Sequence, residues 1–121
     1  MRLAAALVAL LVPAAALAEP VWLQCSGPDQ RFKQGQTIQH ALRVMFDEQN
    51  RSVAITDGTV QFSAESVDIT PVRVTGSTPT SHIVIDRTSG TMTYLRFDGG
   101  RVNISLMKGD CRAAPAPARK F

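Results

Sequence analysis

The sequence predicts an all-β fold, either a small antiparallel barrel or a sandwich, in which seven to eight short strands connect as a meander. Short runs rich in Val, Ile and Thr recur along the chain, and in several of them apolar and polar residues alternate, as in strands with one buried face. Gly, Pro, Asp and Asn lie between these runs, where tight turns are expected. The sequence contains no long stretch with the periodicity of an amphipathic helix.

Both ends of the chain lie outside this predicted domain, which spans residues 19–112. Residues 1–18 combine a positive charge at Arg2, an uncharged apolar run and the small-x-small sequence Ala16-Leu17-Ala18, and they predict a secretory signal peptide. No cysteine directly follows this site, and the apolar run is short for a transmembrane helix, so we expect no stable membrane anchor. Residues 113–121 alternate Pro and Ala before two basic residues and predict a disordered tail. We therefore expect a periplasmic or secreted bacterial protein.

The first half of the domain predicts a strand, a turn and then a hairpin. Residues 21–25 are typical of a strand, and residues 26–29, which contain Gly and Pro, predict the turn that ends it. Residues 37–47 have apolar positions at both helical and strand spacing. We prefer a strand there, because a polar turn at residues 47–51 and a β-branched run at residues 52–56 follow it, as in a hairpin.

The middle of the chain continues with short strands. Asp57-Gly58 is a tight-turn signal, and residues 59–63 alternate as a strand. Residues 66–75 are rich in β-branched residues, but Pro71 lacks the N–H that a ladder needs, so this strand is expected at an edge or at a bulge. Residues 76–81 are expected to form a loop.

The best-defined local structure is the predicted hairpin from Ser81 to Leu95, whose turn is at residues 86–90. A second turn at residues 98–100 leads to a last predicted strand at residues 101–107. In this strand alternate apolar residues are expected to point inward, namely Val102, Ile104 and Leu106.

The two cysteines, Cys25 and Cys111, lie near the start and at the end of the domain. In an exported protein such a pair predicts a disulfide, which here would close nearly the whole domain into one loop. We expect no metal site, because the sequence has no CxxC and neither histidine, His40 or His82, has a second ligand at close spacing.

The charge of the chain is concentrated at its ends. The sequence has 13 basic and 10 acidic residues, and three of the basic ones are Arg2, Arg119 and Lys120, so the body carries ten of each sign. A protein without a basic face lacks the electrostatic signature of a nucleic-acid-binding protein, and we expect no nucleic-acid partner. No nucleophile–base pair and no Gly-rich phosphate loop is recognisable, so we expect neither catalysis nor a cofactor.

One turn is a candidate binding site. Arg87 and Ser89 would lie at the tip of the Ser81–Leu95 hairpin, where exposed side chains can contact a partner. The same residues are also explained by turn chemistry, in which Asp86 accepts backbone N–H groups and Gly90 supplies a positive φ.

The chain resembles a group of uncharacterised short exported bacterial proteins. The resemblance rests on Ile85-Asp-Arg-Thr-Ser-Gly90, on Gly109-Asp-Cys111, on Trp22-Leu-Gln-Cys25 and on residues 46–53. It implies export and a small disulfide-closed β fold, and it implies no activity.

The chain also resembles, more weakly, the periplasmic inhibitors of C-type lysozyme, which are eight-stranded barrels with an SGxxY loop and a late Lys-Gly. Ser89-Gly90 and Lys108-Gly109 are present, and Tyr94 is one residue further from Ser89-Gly90 than in that loop. This resemblance implies that Ser89, Gly90 and Tyr94 contact a protein partner, and together with Arg87 at the hairpin tip they are the candidate partner-binding residues.

These observations predict a monomeric, exported, non-catalytic binding protein. The first hypothesis is a periplasmic or extracellular protein partner bound by the turn around Arg87 and Ser89. The alternatives are a small apolar ligand carried inside a β-barrel, or a role similar to that of the lysozyme inhibitors.

Overall fold

Nine antiparallel strands form one curled sheet in the computed structural model of the chain, which describes residues 19–99 and 102–116. The strands are β1 (Val21–Arg31), β2 (Gln36–Asp47), β3 (Ser52–Asp57), β4 (Val60–Ser63), β5 (Ser66–Ile69), β6 (Arg73–Thr78), β7 (Ser81–Asp86), β8 (Thr91–Phe97) and β9 (Asn103–Ala113). The described part of the chain contains no helix, which confirms the all-β antiparallel prediction, with nine strands rather than seven or eight. The predicted signal peptide at residues 1–18 and the end of the predicted tail lie outside the described residues.

The strand order is β4-β3-β2-β1-β9-β8-β7-β6-β5. Every pair of neighbours is also consecutive in the chain, except that β1 pairs with β9, so the connection is a meander whose first and last strands meet. The single sheet curls into a half-barrel, and its inner face holds the core.

The two edge strands, β4 and β5, behave as two halves of one bent strand. They are joined by Ala64 and Glu65, whose backbone N–H groups donate to Val53 O of β3 and to Ser77 O of β6, both at 2.8 Å. A Cβ placed on Gly76 would lie 3.1 Å from Ala64 Cβ and 3.2 Å from a methyl group of Val53. The short linker thus bridges the two edges of the sheet, and the absence of a side chain on β6 lets β3 and β6 approach.

The core consists of inward-facing apolar side chains from seven of the nine strands. Its fully buried members include Val44 and Ile55 on one half of the sheet and Val74, Ile83 and Met107 on the other. Burial of this apolar surface at roughly 25 cal/mol per Å² is the main force that stabilises the curl.

Several predicted elements are confirmed. Residues 37–47 lie within the strand β2, and residues 52–56 lie within its hairpin partner β3. The Ser81–Leu95 hairpin is formed by β7 and β8.

The single strand predicted at residues 66–75 is wrong, because it is divided into β5, which ends at Ile69, and β6, which begins at Arg73. In the turn between them, which contains the proline, Thr70 Oγ1 accepts hydrogen bonds from the backbone N–H groups of Val72 and Arg73. The edge position predicted for this segment holds for β5.

The turn predicted at residues 26–29 is wrong, because β1 continues through it to Arg31. Gly27 lies directly opposite Gly109 of β9, and a Cβ on either glycine would collide with the backbone of the facing strand. The Gly-Pro sequence therefore allows two strands to approach closely instead of ending the first one.

The inward face predicted for the last strand is also wrong. Ser105 and Met107 are buried, at 2% and 0% exposure, whereas Val102 is 54% exposed. The register shift between Arg96 and Phe97 and the inward position of Cys111 direct the odd-numbered residues of β9 to the core. The predicted loop at residues 76–81 is reduced to a two-residue turn, because β6 extends to Thr78.

Cys25 and Cys111 form a disulfide between directly opposed residues of β1 and β9, with Cα atoms 4.0 Å apart. The bond joins the first and last strands of the sheet, and Cys25 is completely buried. A disulfide is compatible with an oxidising location.

Candidate binding cleft

The half-barrel has two different ends. The turns at residues 48–51, 70–72 and 87–90 lie at one end, which we call the Arg87 end. The turns at residues 58–59 and 79–80 lie at the opposite end, which we call the cleft end.

At the Arg87 end, the side chain of Arg87 spans the gap between β5 and the β2–β3 turn. Its Nη1 donates to Thr70 O at 2.8 Å and its Nη2 donates to Glu48 Oε1 at 2.6 Å. Its guanidinium lies over the ring of Phe46, 5.2 Å from the ring centre, in cation–π geometry. With 27% of its side chain exposed, Arg87 covers this end of the core.

The turn that carries Arg87 is held by its own backbone. Asp86 Oδ1 accepts the N–H groups of Thr88 at 2.8 Å and of Ser89 at 3.1 Å, and the amides of Ser89 and Thr88 lower the pKa of Asp86. Gly90 has φ +78°, and its carbonyl accepts the N–H of Cys111 at 2.7 Å. Thr88 and Ser89 are therefore the exposed side chains of this turn that make no contact with a distant part of the chain.

At the cleft end, the inner face opens into a cleft of about 660 Å³. This volume lies within the range of small-molecule sites, about 300–1,000 Å³. The cleft lies between β4 on one side and the β6–β7 turn on the other, where the sheet is not closed by strand pairing.

A row of polar residues crosses adjacent strands at the base of the cleft, where Arg31, Arg96, Ser81 and Thr78 line it and Ser105 is buried beneath it. The backbone register places Arg31 opposite Ser105, Ser105 opposite Arg96, Arg96 opposite Ser81, and Ser81 opposite Thr78. The next row towards the core contains Asp29, Met107, Tyr94 and Ile83, three of which are core residues. The interior thus changes from mostly apolar to polar between two neighbouring inward-facing rows, which are two residues apart along each strand.

Arg31 and the buried Asp29 make an incomplete pair. Arg31 Nε is 3.7 Å from Asp29 Oδ2, which is too long for a hydrogen bond, and the Asp29 side chain is only 4% exposed. Neither Asp29 Oδ1 nor Arg31 Nε has a hydrogen-bond partner in the described part of the chain. Buried polar atoms without partners are costly, and at such a site a ligand or ordered water commonly supplies the missing bonds.

Arg96 is the second cation of the cleft. No acidic side chain among the described residues lies within ion-pair distance of it. A guanidinium has five N–H donors in a fixed fork and is charged at every physiological pH. Arg96 is therefore available to an anion that enters the cleft.

The opposite wall carries a histidine–aspartate pair. His40 Nε2 lies 2.9 Å from Asp57 Oδ1, and both side chains are about one-fifth exposed. Each of these two side chains supplies a hydrogen-bond partner to the other. Glu65 adds one carboxylate at the rim.

Tyr94 lies at the boundary between the core and the cleft. It is 4% exposed, and burial, opposed in part by the charge of Arg96, raises the pKa of its hydroxyl to about 12. The hydroxyl is therefore a neutral donor at physiological pH. Val60 and Phe62, on the inner face of β4, give the cleft an apolar side.

The structure separates the residues that the sequence grouped as a candidate site. Arg87, Ser89 and Gly90 lie in the turn at the Arg87 end, whereas Tyr94 is buried at the cleft end. Sequence reasoning missed Arg31 and Arg96 as cleft residues. The two cysteines carried a usable signal, because placing Cys25 opposite Cys111 in an antiparallel pair also places Arg31 opposite Ser105.

Among the described residues, no three His, Cys, Asp or Glu side chains converge as a metal site, and no helix is long and apolar enough to cross a membrane. Comparison of the chain with family models, with curated proteins and with solved structures found no match.

Proposed function

We propose that this chain is an exported, non-catalytic binding protein that holds a small molecule with both a polar and an apolar part in the cleft. The observation that supports the proposal is the polar row from Arg31 to Thr78, which lies on the inner face of a half-barrel and includes a donor without a partner, Arg31 Nε. Side chains that only fill a core have no need for such groups, since uncompensated burial of polar atoms is destabilising.

The proposal favours the cleft over the turn at residues 87–90. Arg87 is already bound to Thr70, Glu48 and Phe46, so a partner that took its guanidinium would first have to break these contacts. Binding of a protein partner by this turn stays a prediction, in which Thr88 and Ser89 are the side chains that contact the partner. A purely apolar ligand is less favoured, because charged and hydroxyl side chains line much of the cleft.

Export is the second part of the proposal. It is supported by the N-terminal pattern of residues 1–18 and by the Cys25–Cys111 disulfide, because most cytosols keep cysteines in the reduced thiol form.

Two matched tryptophan variants test where binding occurs. Thr80→Trp places a large side chain on the exposed rim of the cleft, and Thr88→Trp places the same side chain on the exposed tip of the turn. The wild type and both variants are purified gently from an oxidising compartment and weighed by native mass spectrometry. We expect a small-molecule adduct on the wild type and on Thr88→Trp, and its loss from Thr80→Trp.

The opposite pattern, a bound protein lost only from Thr88→Trp, would overturn the cleft proposal in favour of the turn. An adduct that survives in both variants would also contradict it. Circular dichroism and thermal melting of each variant verify that the fold is intact.

A further inference from the structure

The two arginines of the cleft lie two strands apart in the same row. Arg31 on β1 and Arg96 on β8 both face Ser105 of β9 in the backbone register. Adjacent strands are about 4.8 Å apart, so the two Cα atoms are separated by roughly 10 Å. Two long side chains that leave one face at this distance can direct their guanidinium groups to a common point above Ser105.

The cations in this row exceed their nearby counter-charges. Arg31 has one poorly placed partner, Asp29 at 3.7 Å, and Arg96 has no acid within ion-pair distance among residues 19–99 and 102–116. Ser105 lies between them and is only 2% exposed, so water that could screen the two charges does not reach this position. Like charges that share a partly buried site repel one another, and an anion between them relieves this repulsion.

The rest of the cleft limits the charge of that anion. Asp57 and Glu65 line the same cleft, and Asp29 lies beneath it. These carboxylates offset part of the positive charge of the two arginines, so a dianion such as a phosphate monoester would be repelled more strongly than a monoanion. A planar carboxylate matches the fork of a guanidinium and carries a single charge.

The shape of the cleft limits the remainder of the ligand. Val60, which is 60% exposed, and Phe62 present apolar surface on β4, across from the arginine row. The neutral hydroxyl of Tyr94 lies between the core and the cleft as an additional donor. A compact apolar body against β4 would place an attached carboxylate over Ser105.

We infer that the ligand is a monocarboxylate with a compact apolar body, whose carboxylate is bound by Arg31 and Arg96; this inference rests on the proposed binding function of the cleft. Arg96 supplies the uncompensated charge, and Arg31, whose side chain is 32% exposed, supplies the second guanidinium. The apolar body covers Val60 and Phe62.

The test is a two-dimensional ¹H–¹⁵N NMR titration of the oxidised protein with matched pairs of probes. Phenylacetate is compared with 2-phenylethanol, hexanoate with 1-hexanol, and benzylphosphonate serves as the dianion. We expect at least tenfold tighter binding of each carboxylate than of its alcohol, with shifts at the amides of β8 and of the β6–β7 turn. Benzylphosphonate should bind more weakly than phenylacetate.

Three variants locate the charge. Arg96→Gln and Arg31→Gln should each remove most of the tenfold preference for the carboxylate, whereas Arg112→Gln, on the exposed outer face of β9, should leave it unchanged. Arg96→Lys keeps the positive charge but lacks the paired N–H donors of a guanidinium, so it should retain part of the preference. Partial retention would show that the loss in Arg96→Gln comes from the missing charge and not from misfolding.

Equal affinity for acid and alcohol in the wild type would overturn the inference, and so would tighter binding of the phosphonate or an effect of Arg112→Gln equal to that of Arg96→Gln. If the alcohols shift the cleft amides without a preference for the acids, only the ligand class is wrong. If no probe shifts them and native mass spectrometry finds no adduct, the binding function itself is wrong.

Discussion

Replacing Arg87 by Met should destabilise the fold, although Arg87 lies in a turn. The substitution keeps an unbranched stem over Phe46 and removes the hydrogen bond to Thr70, the ion pair with Glu48 and the cation–π contact. We expect a loss of about 2 kcal/mol in the free energy of unfolding.

The magnitude follows from the exposure of each contact. The cation–π contact at a partly exposed site contributes roughly 0.5–1 kcal/mol. The hydrogen bond to the Thr70 carbonyl, made by a charged donor, contributes about 1 kcal/mol at this surface. The ion pair contributes only about 0.5 kcal/mol, because the Glu48 side chain is 56% exposed.

The assay is urea unfolding of the oxidised protein, with Arg112→Met as the matched control. Arg112 is exposed on β9, and its replacement should change stability by no more than about 0.5 kcal/mol. For a domain of this size, the Arg87 variant should melt roughly 8–15 °C below the wild type. Equal stability of the two variants would refute the reasoning and would leave the guanidinium of Arg87 available to a partner.

Three further predictions concern the disulfide, a glycine and the single tyrosine. Replacing Cys25 and Cys111 by Ala opens a loop of 86 residues and should cost about 4.5 kcal/mol in urea unfolding; a loss below about 1 kcal/mol would contradict the entropic argument. Gly27→Ala should cost roughly 3 kcal/mol, because its Cβ meets the backbone of β9, whereas Gly99→Ala meets no atom within 4 Å and should be nearly neutral by the same assay. Tyr94 is the only tyrosine, so tyrosinate absorbance reports it alone: the midpoint should be about 12 in the folded protein and about 10 in denaturant, and the free energy of unfolding should fall as pH rises between these values. A midpoint near 10 in a chain that keeps its β circular dichroism would contradict the burial of Tyr94.

The strands with strong local signals were predictable from sequence. In the β7–β8 hairpin, a β-branched run in which Ile83 and Ile85 share one face and a turn with Asp86 and Gly90 indicate the same structure. Segment 37–47 was ambiguous alone, and the hairpin with the next run resolved it. Local chemistry and tertiary structure agree in these regions.

The errors occur where distant strands decide the structure. Gly27 and Pro28 are turn formers locally, yet Gly109, far along the chain, makes Gly27 a site of close strand approach. The inward face of β9 was misassigned because a bulge near Phe97 shifts the register.

The cleft was not predictable as a site for the same reason. Arg31 and Arg96 are on strands β1 and β8, which are brought to one row only by the pairing of β1 with β9. Within its own strand, each arginine is typical of an exposed, solvated residue. Only the register of β1 and β8 against β9 shows that both lie on the inner face.

The pairing of β1 with β9 also determines where the described chain ends lie relative to the cleft. The N–H of Ala114 donates to Trp22 O, so both described chain ends leave the half-barrel side by side at the Arg87 end. Arg31, at the other end of β1, lies ten residues from Val21, or about 34 Å in an extended strand. An affinity handle or surface tether joined to either end of the domain should therefore leave the cleft pointing away from the support, open to solution.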